Sequence, residues 1–475
     1  MAHEIRQDDG AGQDDGAGQD ALPPAGTDVL VVGAGPAGSA AAAWAARQGL
    51  DVVLADQAVF PRDKACGDGL TPRAIAELGH LGLADWLRGR PANWGLRAAG
   101  FGQELYLPWP GGSLPAHGSA VPRTELDATI RDVALASGAR PLQDAQAVDV
   151  ERDGERISAV VFRRGDQRFT VRCRRLVVAD GARSQLGRVL GREWHRDTAY
   201  GVAVRGYVAS ERSDDPWISS HLELRGGAGE LLSGYGWVFP LGSGEVNIGV
   251  GTLATSRRPA KVALRPLLAL YTDQRREDWQ LSGPVRAPWS ALLPMGGAVS
   301  GVAGPNWALV GDAAGCVNPL NGEGIDYGLE TGRLVAELMM GTDDLREAWP
   351  AMLRAHYGEA FSIARRLAGL ITVPGLLPVT GPVGMRSRAL MTLALRLMGN
   401  LVTPEDSDVV ARLWRAAGRI SSLVDPRPPF SDARRPVRSA TELAVRYSRD
   451  ANSSRTDDHS GGPRPRSSGD RARVS

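Results

Sequence analysis

The chain has 475 residues, enough for two or three domains, and 43% of them are hydrophobic, which is typical of a globular protein. Its 55 basic and 54 acidic residues leave a formal net charge of +1, so nothing in the charge indicates a nucleic-acid partner and we expect none. Three cysteines, far apart in the chain, match neither a disulfide scaffold nor a metal-ligand pattern. We therefore expect no metal site.

The two ends of the chain differ in composition from the rest. Residues 7–20 repeat Gln, Asp, Gly and Ala, and the chain after about Arg427 is rich in Pro, Ser, Arg and Asp. Such polar segments cannot bury enough apolar surface to fold, so we expect disorder in 1–26 and 427–475. The N-terminus lacks the apolar segment of a signal peptide. Together with the scarcity of cysteine, this indicates a cytoplasmic protein.

The first predicted unit is a strand, a glycine turn and a helix in residues 29–49, followed by a strand that ends at Asp56. This is the order of a dinucleotide-binding unit. Gly33 allows the tight turn, Gly35 lets the backbone approach a pyrophosphate, and Gly38 lets the helix pack closely on the sheet. The helix N-terminus faces the phosphates, and the acid accepts from a ribose hydroxyl. The residues predicted to bind the cofactor here are Gly33, Gly35, Pro36, Ala37, Gly38, Asp56 and Gln57.

Two later segments have the same strand-to-helix character. Residues 175–184 form a strand that ends in Asp180-Gly181, for which an ordinary turn is the alternative interpretation. Residues 307–315 form a strand that ends in Gly311-Asp312, where the carboxylate could accept from ribityl hydroxyls or cap a helix. The loop that follows, with Gly322, Gly324 and Ile325, opens onto a helix. Its exposed amides suit the anionic N1–C2=O edge of a reduced flavin.

The order of these motifs resembles the flavoprotein class typified by p-hydroxybenzoate hydroxylase over most of residues 27–340. The resemblance implies FAD as the cofactor, with Arg123 in contact with it and the strand backbone at Ala147 near the adenine. It also implies one nucleotide-binding unit, so that NAD(P)H, if used, binds transiently. The electron donor stays open between NAD(P)H and a protein carrier.

Residues 200–252 contain short segments rich in aromatic and β-branched residues, and residues 346–425 are mostly helical with three interrupting prolines. The fold class expected is α/β: a Rossmann-like FAD-binding domain with an inserted β-rich substrate domain and a C-terminal helical region. The predicted boundaries are 27–95, 120–198 and 285–345 for the FAD-binding domain, 96–119 and 199–284 for the β-rich domain, and 346–426 for the helical region.

Two further motifs narrow the reaction. One is a loop from Phe60 to Leu70 that contains Lys64, Ala65 and Cys66, and the other is Tyr235-Gly-Trp237-Val-Phe239-Pro240. The pair resembles the geranylgeranyl reductase family, whose members saturate isoprenoid double bonds, and the loop looks most like that of its actinobacterial menaquinone reductases. The resemblance implies an FAD-dependent reductase of an isoprenoid double bond, with the polyprenyl chain of menaquinone as substrate.

An isoprenoid chain is long and apolar, so its site needs an aromatic-lined tunnel with few polar groups. Tyr235, Trp237 and Phe239 alternate along a predicted strand and share one face, where they form either the wall of such a tunnel or plain core. Saturation also needs a proton, for which Cys66, Tyr235 or an ordered water are the candidates. The alternative for Cys66 is a buried small hydrophobe. Lys64 would pair with flavin or phosphate charge, or be solvated.

Residues 367–385 carry no charge and are flanked by Arg365, Arg366, Arg386 and Arg388. Their prolines and glycines disfavour a membrane-spanning helix. An apolar patch with an arginine rim suits peripheral contact with anionic lipid on the inner face of the plasma membrane. The alternative is a helical cap on the active site.

Two other functions stay open on sequence alone. One is an FAD-dependent monooxygenase or halogenase of the same fold. Halogenases carry Trp-x-Trp-x-Ile-Pro where this chain has Tyr235 and Phe239 in place of the first Trp and the Ile, which argues against that branch. The other is a flavoprotein that only carries electrons to a partner, for which the aromatic segment would have no purpose.

Overall fold

The structure of the protein, a computed structural model, describes residues 24–431. The strands are β1 Gly26–Val32, β2 Val52–Ala55, β3 Gly69–Leu70, β4 Ala92–Asn93, β5 Gly95–Gly100, β6 Gln103–Pro108, β7 Gly118–Ala120, β8 Arg140–Leu142, β9 Gln146–Asp153, β10 Arg156–Arg164, β11 Gln167–Val178, β12 Glu193–Trp194, β13 Tyr200–Ser210, β14 Trp217–His221, β15 Gly234–Pro240, β16 Glu245–Ala254, β17 Leu281–Leu293, β18 Val299–Ser300, β19 Ala303–Gly304 and β20 Trp307–Leu309.

The α-helices are α1 Pro36–Arg47, α2 Pro72–His80, α3 Ala84–Arg88, α4 Arg123–Ala136, α5 Gln185–Val189, α6 Leu264–Arg275, α7 Ile325–Gly341, α8 Ala348–Leu353, α9 Glu359–Ile371, α10 Leu376–Met385, α11 Arg388–Met398 and α12 Val409–Leu423. A 3₁₀ turn covers Gly311–Ala314, and a π-helical turn at Arg354–Gly358 joins α8 to α9.

Five parallel strands in the order β8–β2–β1–β11–β20 form the centre of the first sheet. The apolar run Val29–Val32 makes β1 the buried middle strand, as expected for a parallel sheet covered on both faces. Helix α7 packs on α1 at close range, because Gly332 lets its backbone approach Ala37. A Cβ on Gly332 would lie 2.5 Å from the Ala37 carbonyl oxygen.

The carboxyl ends of four parallel strands meet at one edge of this sheet. The Gly33 amide donates to the Ala55 carbonyl at 2.7 Å, and the Ala179 amide donates to the Val32 carbonyl at 2.7 Å. The Val310 amide donates in turn to the Val178 carbonyl at 3.0 Å. The strand order reverses at β1, which is where open α/β sheets bind their ligands.

The second sheet has seven strands in the order β17–β13–β16–β15–β14–β5–β6, and α6 covers its core. Strand β17 continues to Leu293, so the β-rich region extends past the boundary that was predicted at 284. The boundary was wrong because β17 is an edge strand. Its side chains are mostly exposed and it contains Pro284 and Pro288, so it lacks the alternation that marks a half-buried strand.

The fold class predicted from the sequence is confirmed, including the C-terminal helices α8 to α12. The predicted disorder from 427 onward was wrong for the first residues of that segment. Phe430 is buried against Phe361, and its amide donates to the Gly297 carbonyl at 2.9 Å. The segment after Arg427 is mostly polar, and its composition did not indicate that Phe430 would be buried. The predictions for 1–23 and 432–475 lie outside the described residues, and residue 26 already belongs to β1.

Candidate active site

A cavity of about 500 Å³ joins the edge of the first sheet to the face of the second. Its walls come from the glycine turn before α1, the loop 64–71, the inner face of β15 and the loop before α7. Helices α10 and α11 complete it on the side away from the glycine turn. Most of the lining is apolar, which is typical of a site for a large, weakly polar ligand.

The glycine turn has the geometry that a pyrophosphate needs. Gly33 has a φ of +104°, and a Cβ there would lie 2.3 Å from the Ala179 carbonyl oxygen. A Cβ on Gly38 would lie 1.8 Å from the Gly33 carbonyl oxygen. Gly35 differs, because its Cβ would meet only Arg62 Nη2, at 3.4 Å, so the backbone there is open to a ligand. These residues, with Pro36 at the first position of α1, fit the FAD pyrophosphate.

Asp56 ends β2 beside this turn. Its buried carboxylate accepts from the Ala34 amide at 2.7 Å and from the Ala58 amide at 2.9 Å, so it is held rigidly at the strand end. Gln57 is exposed next to it. Neither residue lines the main cavity, and their predicted contacts with a ribose stay predictions.

Two arginines that approach the turn share one carboxylate. Arg123 donates to Asp127 through Nε at 2.7 Å and Nη2 at 2.8 Å, and Arg62 Nη1 donates to Asp127 at 2.8 Å. Asp127 is fully buried, and Arg123 is buried where it lines the cavity. Sequence reasoning missed Arg62. A net positive charge therefore remains beside the predicted pyrophosphate position, as an anionic cofactor requires.

Lys64 and Asp312, 248 residues apart in the chain, meet in the cavity with Nζ 3.1 Å from Oδ2. Asp312 lies inside the 3₁₀ turn that follows β20. The N-cap of this turn is Val310 and no side chain caps it, so Asp312 is not the helix cap that the sequence left as an alternative. Gly324 lies against the same carboxylate, with a Cβ position 3.1 Å from Oδ1. The cavity lining also includes Ala37, Ala65, Gly322 and Ile325.

Asp180 and Ala147, two further predicted cofactor residues, also lie outside the cavity lining. Asp180 accepts from the Ser184 hydroxyl at 2.6 Å and from the Leu186 amide at 2.8 Å, so its carboxylate orders the start of α5. Burial raises the pKa of Asp180. A local hydroxyl and a local backbone amide thus satisfy the acid, as in the turn alternative, and its predicted contact with the cofactor stays a prediction. Ala147 lies on β9 beside Gln185, in a separate shallow depression.

Tyr235, Trp237 and Phe239 form a row on the cavity side of β15, with successive ring centroids 5.9 Å and 6.3 Å apart. Gly67 and Gly69 lie against Phe239, where a Cβ on Gly69 would be 2.9 Å from the ring. The row therefore forms a cavity wall and also supports the loop that carries Cys66. The Tyr235 hydroxyl donates to the Asn321 carbonyl at 2.5 Å, so its proton already has an acceptor.

Cys66 lines the cavity in a half-buried position, and its sulfur accepts from the Asp68 amide at 3.4 Å. Burial raises the pKa of the Cys66 thiol, although Arg123 opposes the shift. The thiol is therefore protonated at neutral pH, as a proton donor must be. Cys173 and Cys316 are buried elsewhere, and within residues 24–431 no three His, Cys, Asp or Glu side chains are arranged so that they could hold a metal ion.

Polar residues from the second sheet hold the Cys66 loop in place. Arg205 donates to the carbonyls of Cys66 at 3.2 Å and Lys64 at 2.7 Å, and Asn247 donates to the Cys66 carbonyl at 2.9 Å. Asp68 accepts from Asn247 at 2.9 Å, and burial raises the pKa of Asp68 to about 6. Sequence reasoning missed these residues. The sequence feature that could have identified them is a polar side chain, Arg205 or Asn247, in the middle of an otherwise apolar strand, because a buried polar group needs a partner.

Known proteins match the chain in family and in fold. The FAD binding domain family matches residues 26–221. A menaquinone reductase of Mycolicibacterium smegmatis is 65% identical over 407 residues, which cover 85% of this chain and 99% of that protein. The chain belongs to the menaquinone reductase family. As a member of this family it is an FAD-dependent oxidoreductase, and the resemblance and the cofactor expected from the sequence are confirmed.

The chain is also similar to more distant proteins, one in sequence and one in fold. A digeranylgeranylglycerophospholipid reductase of Methanopyrus kandleri is 30% identical, over 72% of this chain and 90% of that protein. A geranylgeranyl bacteriochlorophyll reductase-like protein from Thermoplasma acidophilum superposes with a TM-score of 0.66 at 20% identity, covering 83% of this chain and 100% of that one. The second likeness shows the fold alone.

Proposed function

We propose that the protein saturates an isoprenoid carbon–carbon double bond in menaquinone. One observation carries the proposal beyond family membership: the glycine turn that fits FAD opens into the same cavity as the aromatic row and the apolar faces of α10 and α11. A cofactor held at the turn and a polyprenyl chain lying along the row would share one enclosed space. A reaction between them needs such a shared space.

Bound and reduced FAD supplies the hydride for such a saturation. The protein's own residues orient the chain, exclude water and supply a proton. The aromatic row of β15 and the side chains of α11 bind an apolar chain by burial. Cys66 and Tyr235 remain the proton donors predicted from the sequence, and of the two only the thiol is without an acceptor already in place.

Incubation of the FAD-loaded protein with menaquinone and dithionite, followed by mass spectrometry of the quinone, tests the proposal. We expect the product mass to rise by two hydrogens per double bond reduced, with no oxygen added. A gain of oxygen under air would indicate the monooxygenase alternative instead. An unchanged quinone, with the flavin reduced and then reoxidised by other acceptors, would indicate an electron carrier and contradict the proposal.

Several features support a second part of the proposal, that the protein binds the inner face of the plasma membrane peripherally. Helix α10 presents Leu377 and Gly381 to the cavity, whereas Val379 and Val383 on its other side are 69% and 61% exposed. Within residues 24–431, ten of the seventeen exposed large hydrophobic side chains belong to α9–α12 and the residue after α12. Exposed apolar side chains concentrated in one region are typical of an interaction surface.

Charges around α10 suit an anionic lipid surface. Arg366, Arg386 and Arg388 are exposed, whereas Arg365 is buried and pairs with Asp425 at 2.8 Å, so three of the four arginines predicted to surround the patch are free to face lipid.

Within the described part of the chain, no single helix is long and apolar enough to cross a membrane. Residues 348–371 and 376–385 reach that length and composition only together, with a bend of 111° between them. Peripheral contact would bring a membrane-dissolved substrate to the α10 side of the cavity.

Flotation with vesicles containing anionic lipid tests the membrane contact. We expect the wild-type protein to float with the vesicles and the Val379→Glu, Val383→Glu double variant to stay in the soluble fraction, because burying two carboxylates in lipid is costly. Met340→Glu is the matched control, since Met340 is 55% exposed on α7, away from this surface, and its variant should float. Wild-type protein that fails to float contradicts the proposal.

A further inference from the structure

Three carboxylic acids lie together where the loop before α7 enters the helix, and one arginine is among them. Glu323 lines the cavity, Asp326 is fully buried and Glu330 is 8% exposed. Arg73 approaches Glu330 at 3.9 Å, while its other donors reach the carbonyls of Asn400 and Val402 at 2.9 Å and 3.1 Å. One positive charge thus serves three acids in an enclosed region.

Hydrogen-bond donors satisfy the carboxyl oxygens of Glu323 and Asp326 unequally. The Thr71 hydroxyl donates to Glu323 Oε1, and Asn321 Nδ2 lies 3.4 Å from Oε2. Asp326 Oδ2 accepts from Asn400 at 2.9 Å, whereas Asp326 Oδ1 is buried without a partner. A buried carboxylate oxygen without a donor is costly when charged and much less so when the acid holds a proton.

Burial, reinforced by the neighbouring Asp326, raises the pKa of Glu323 well above its usual range. Burial also raises the pKa of Asp326 to about 6. The charged groups facing Glu323 are Asp326 and Arg73, and Tyr235 is the nearby phenol. Glu323 therefore favours its protonated form more than an exposed glutamate does.

Glu323 is better placed to give up a proton than Tyr235. Both residues contact Asn321, the tyrosine through the backbone carbonyl and the acid through the side-chain amide. The tyrosine hydroxyl is already directed at that carbonyl. The acid lies one residue from Gly322 and Gly324, in the loop that faces the predicted flavin position, and has a second protonatable acid behind it.

We infer that Glu323 is a catalytic residue of the proposed saturation and that its carboxyl group donates the proton, which solvent restores between turnovers. One alkene carbon takes a hydride from the reduced cofactor. The other forms a C–H bond as the O–H bond of Glu323 breaks, which leaves a saturated C–C bond and a Glu323 carboxylate. Arg73 offsets the carboxylate charge until the proton is restored. This inference rests on the proposed function.

The test compares Glu323→Gln, which keeps the shape of the side chain but cannot release a proton, with Cys66→Ala and Glu337→Gln. Glu337 is an exposed acid on α7, the helix that follows the Glu323 loop, and serves as the matched control. In single turnovers of pre-reduced enzyme with menaquinone, we expect Glu323→Gln to lower the rate by about 10² to 10⁴. The Cys66→Ala variant should lose less, and Glu337→Gln should match the wild type.

A second readout does not depend on turnover. The infrared spectrum of the FAD-loaded wild-type protein at neutral pH should contain the C=O stretching band of a protonated carboxylic acid that Glu323→Gln lacks, with flavin absorbance unchanged. The inference is overturned if this band persists in the variant, or if Cys66→Ala abolishes the reaction while Glu323→Gln keeps more than half the wild-type rate. A wild-type enzyme that leaves menaquinone unchanged contradicts the proposed function. The infrared band does not depend on that reaction, so it still shows whether Glu323 is protonated.

Discussion

Replacing Gly35 with aspartate is expected to abolish FAD binding and leave the apoprotein folded. Gly35 has a φ of −73°, which any residue adopts, and its Cβ would meet only Arg62 Nη2 at 3.4 Å. A carboxylate there would face the cofactor's pyrophosphate. Two like charges about 4 Å apart repel by about 4 kcal/mol in a partly screened site, which corresponds to about a thousandfold weaker binding.

Gly35→Asn is the matched control, because it adds the same volume without the charge. Titration of each apoprotein with FAD, followed by flavin fluorescence, measures the difference, and circular dichroism checks the fold. Equal FAD affinity in the two variants would show that the pyrophosphate does not approach Gly35, and the assignment of the glycine turn would fail.

Replacing Asp127 with asparagine is expected to destabilise the protein by about 3–5 kcal/mol, the typical cost of removing one partner from a buried ion pair. Asp127 is fully buried and is the carboxylate shared by Arg123 and Arg62. Its loss leaves the buried guanidinium of Arg123 without its bidentate partner. Asparagine keeps the volume, so the change in the free energy of unfolding reports the charge.

Urea unfolding of the two proteins measures this effect. Asp132→Asn is the control, because Asp132 lies on the same helix α4 with its side chain 67% exposed. We expect the control to change the free energy of unfolding by less than about 0.5 kcal/mol. A loss below about 1 kcal/mol for Asp127→Asn would mean that the two arginines find other partners or solvent.

Features that depend on near neighbours in the chain were predictable from sequence. The turn at Gly33, Gly35 and Gly38 needs only a strand, a helix and their spacing, and the alternation of Tyr235, Trp237 and Phe239 follows from strand geometry. Asp312 was recognised because a strand precedes it and a glycine loop follows. For Asp180 the sequence left a turn and a cofactor contact open, and the structure adds the donors at the start of α5 that satisfy the acid.

The sequence by itself determined the FAD-binding unit and the shared face of the three aromatic residues, because both are encoded in local periodicity and turn residues. Only the tertiary structure decided how charges are shared: Arg62 with Asp127, Arg205 with the Cys66 loop, and Arg73 with Glu330. These partners lie on different elements. The protonation and the role of a buried charge depend on which groups surround it in space, and no local pattern records that.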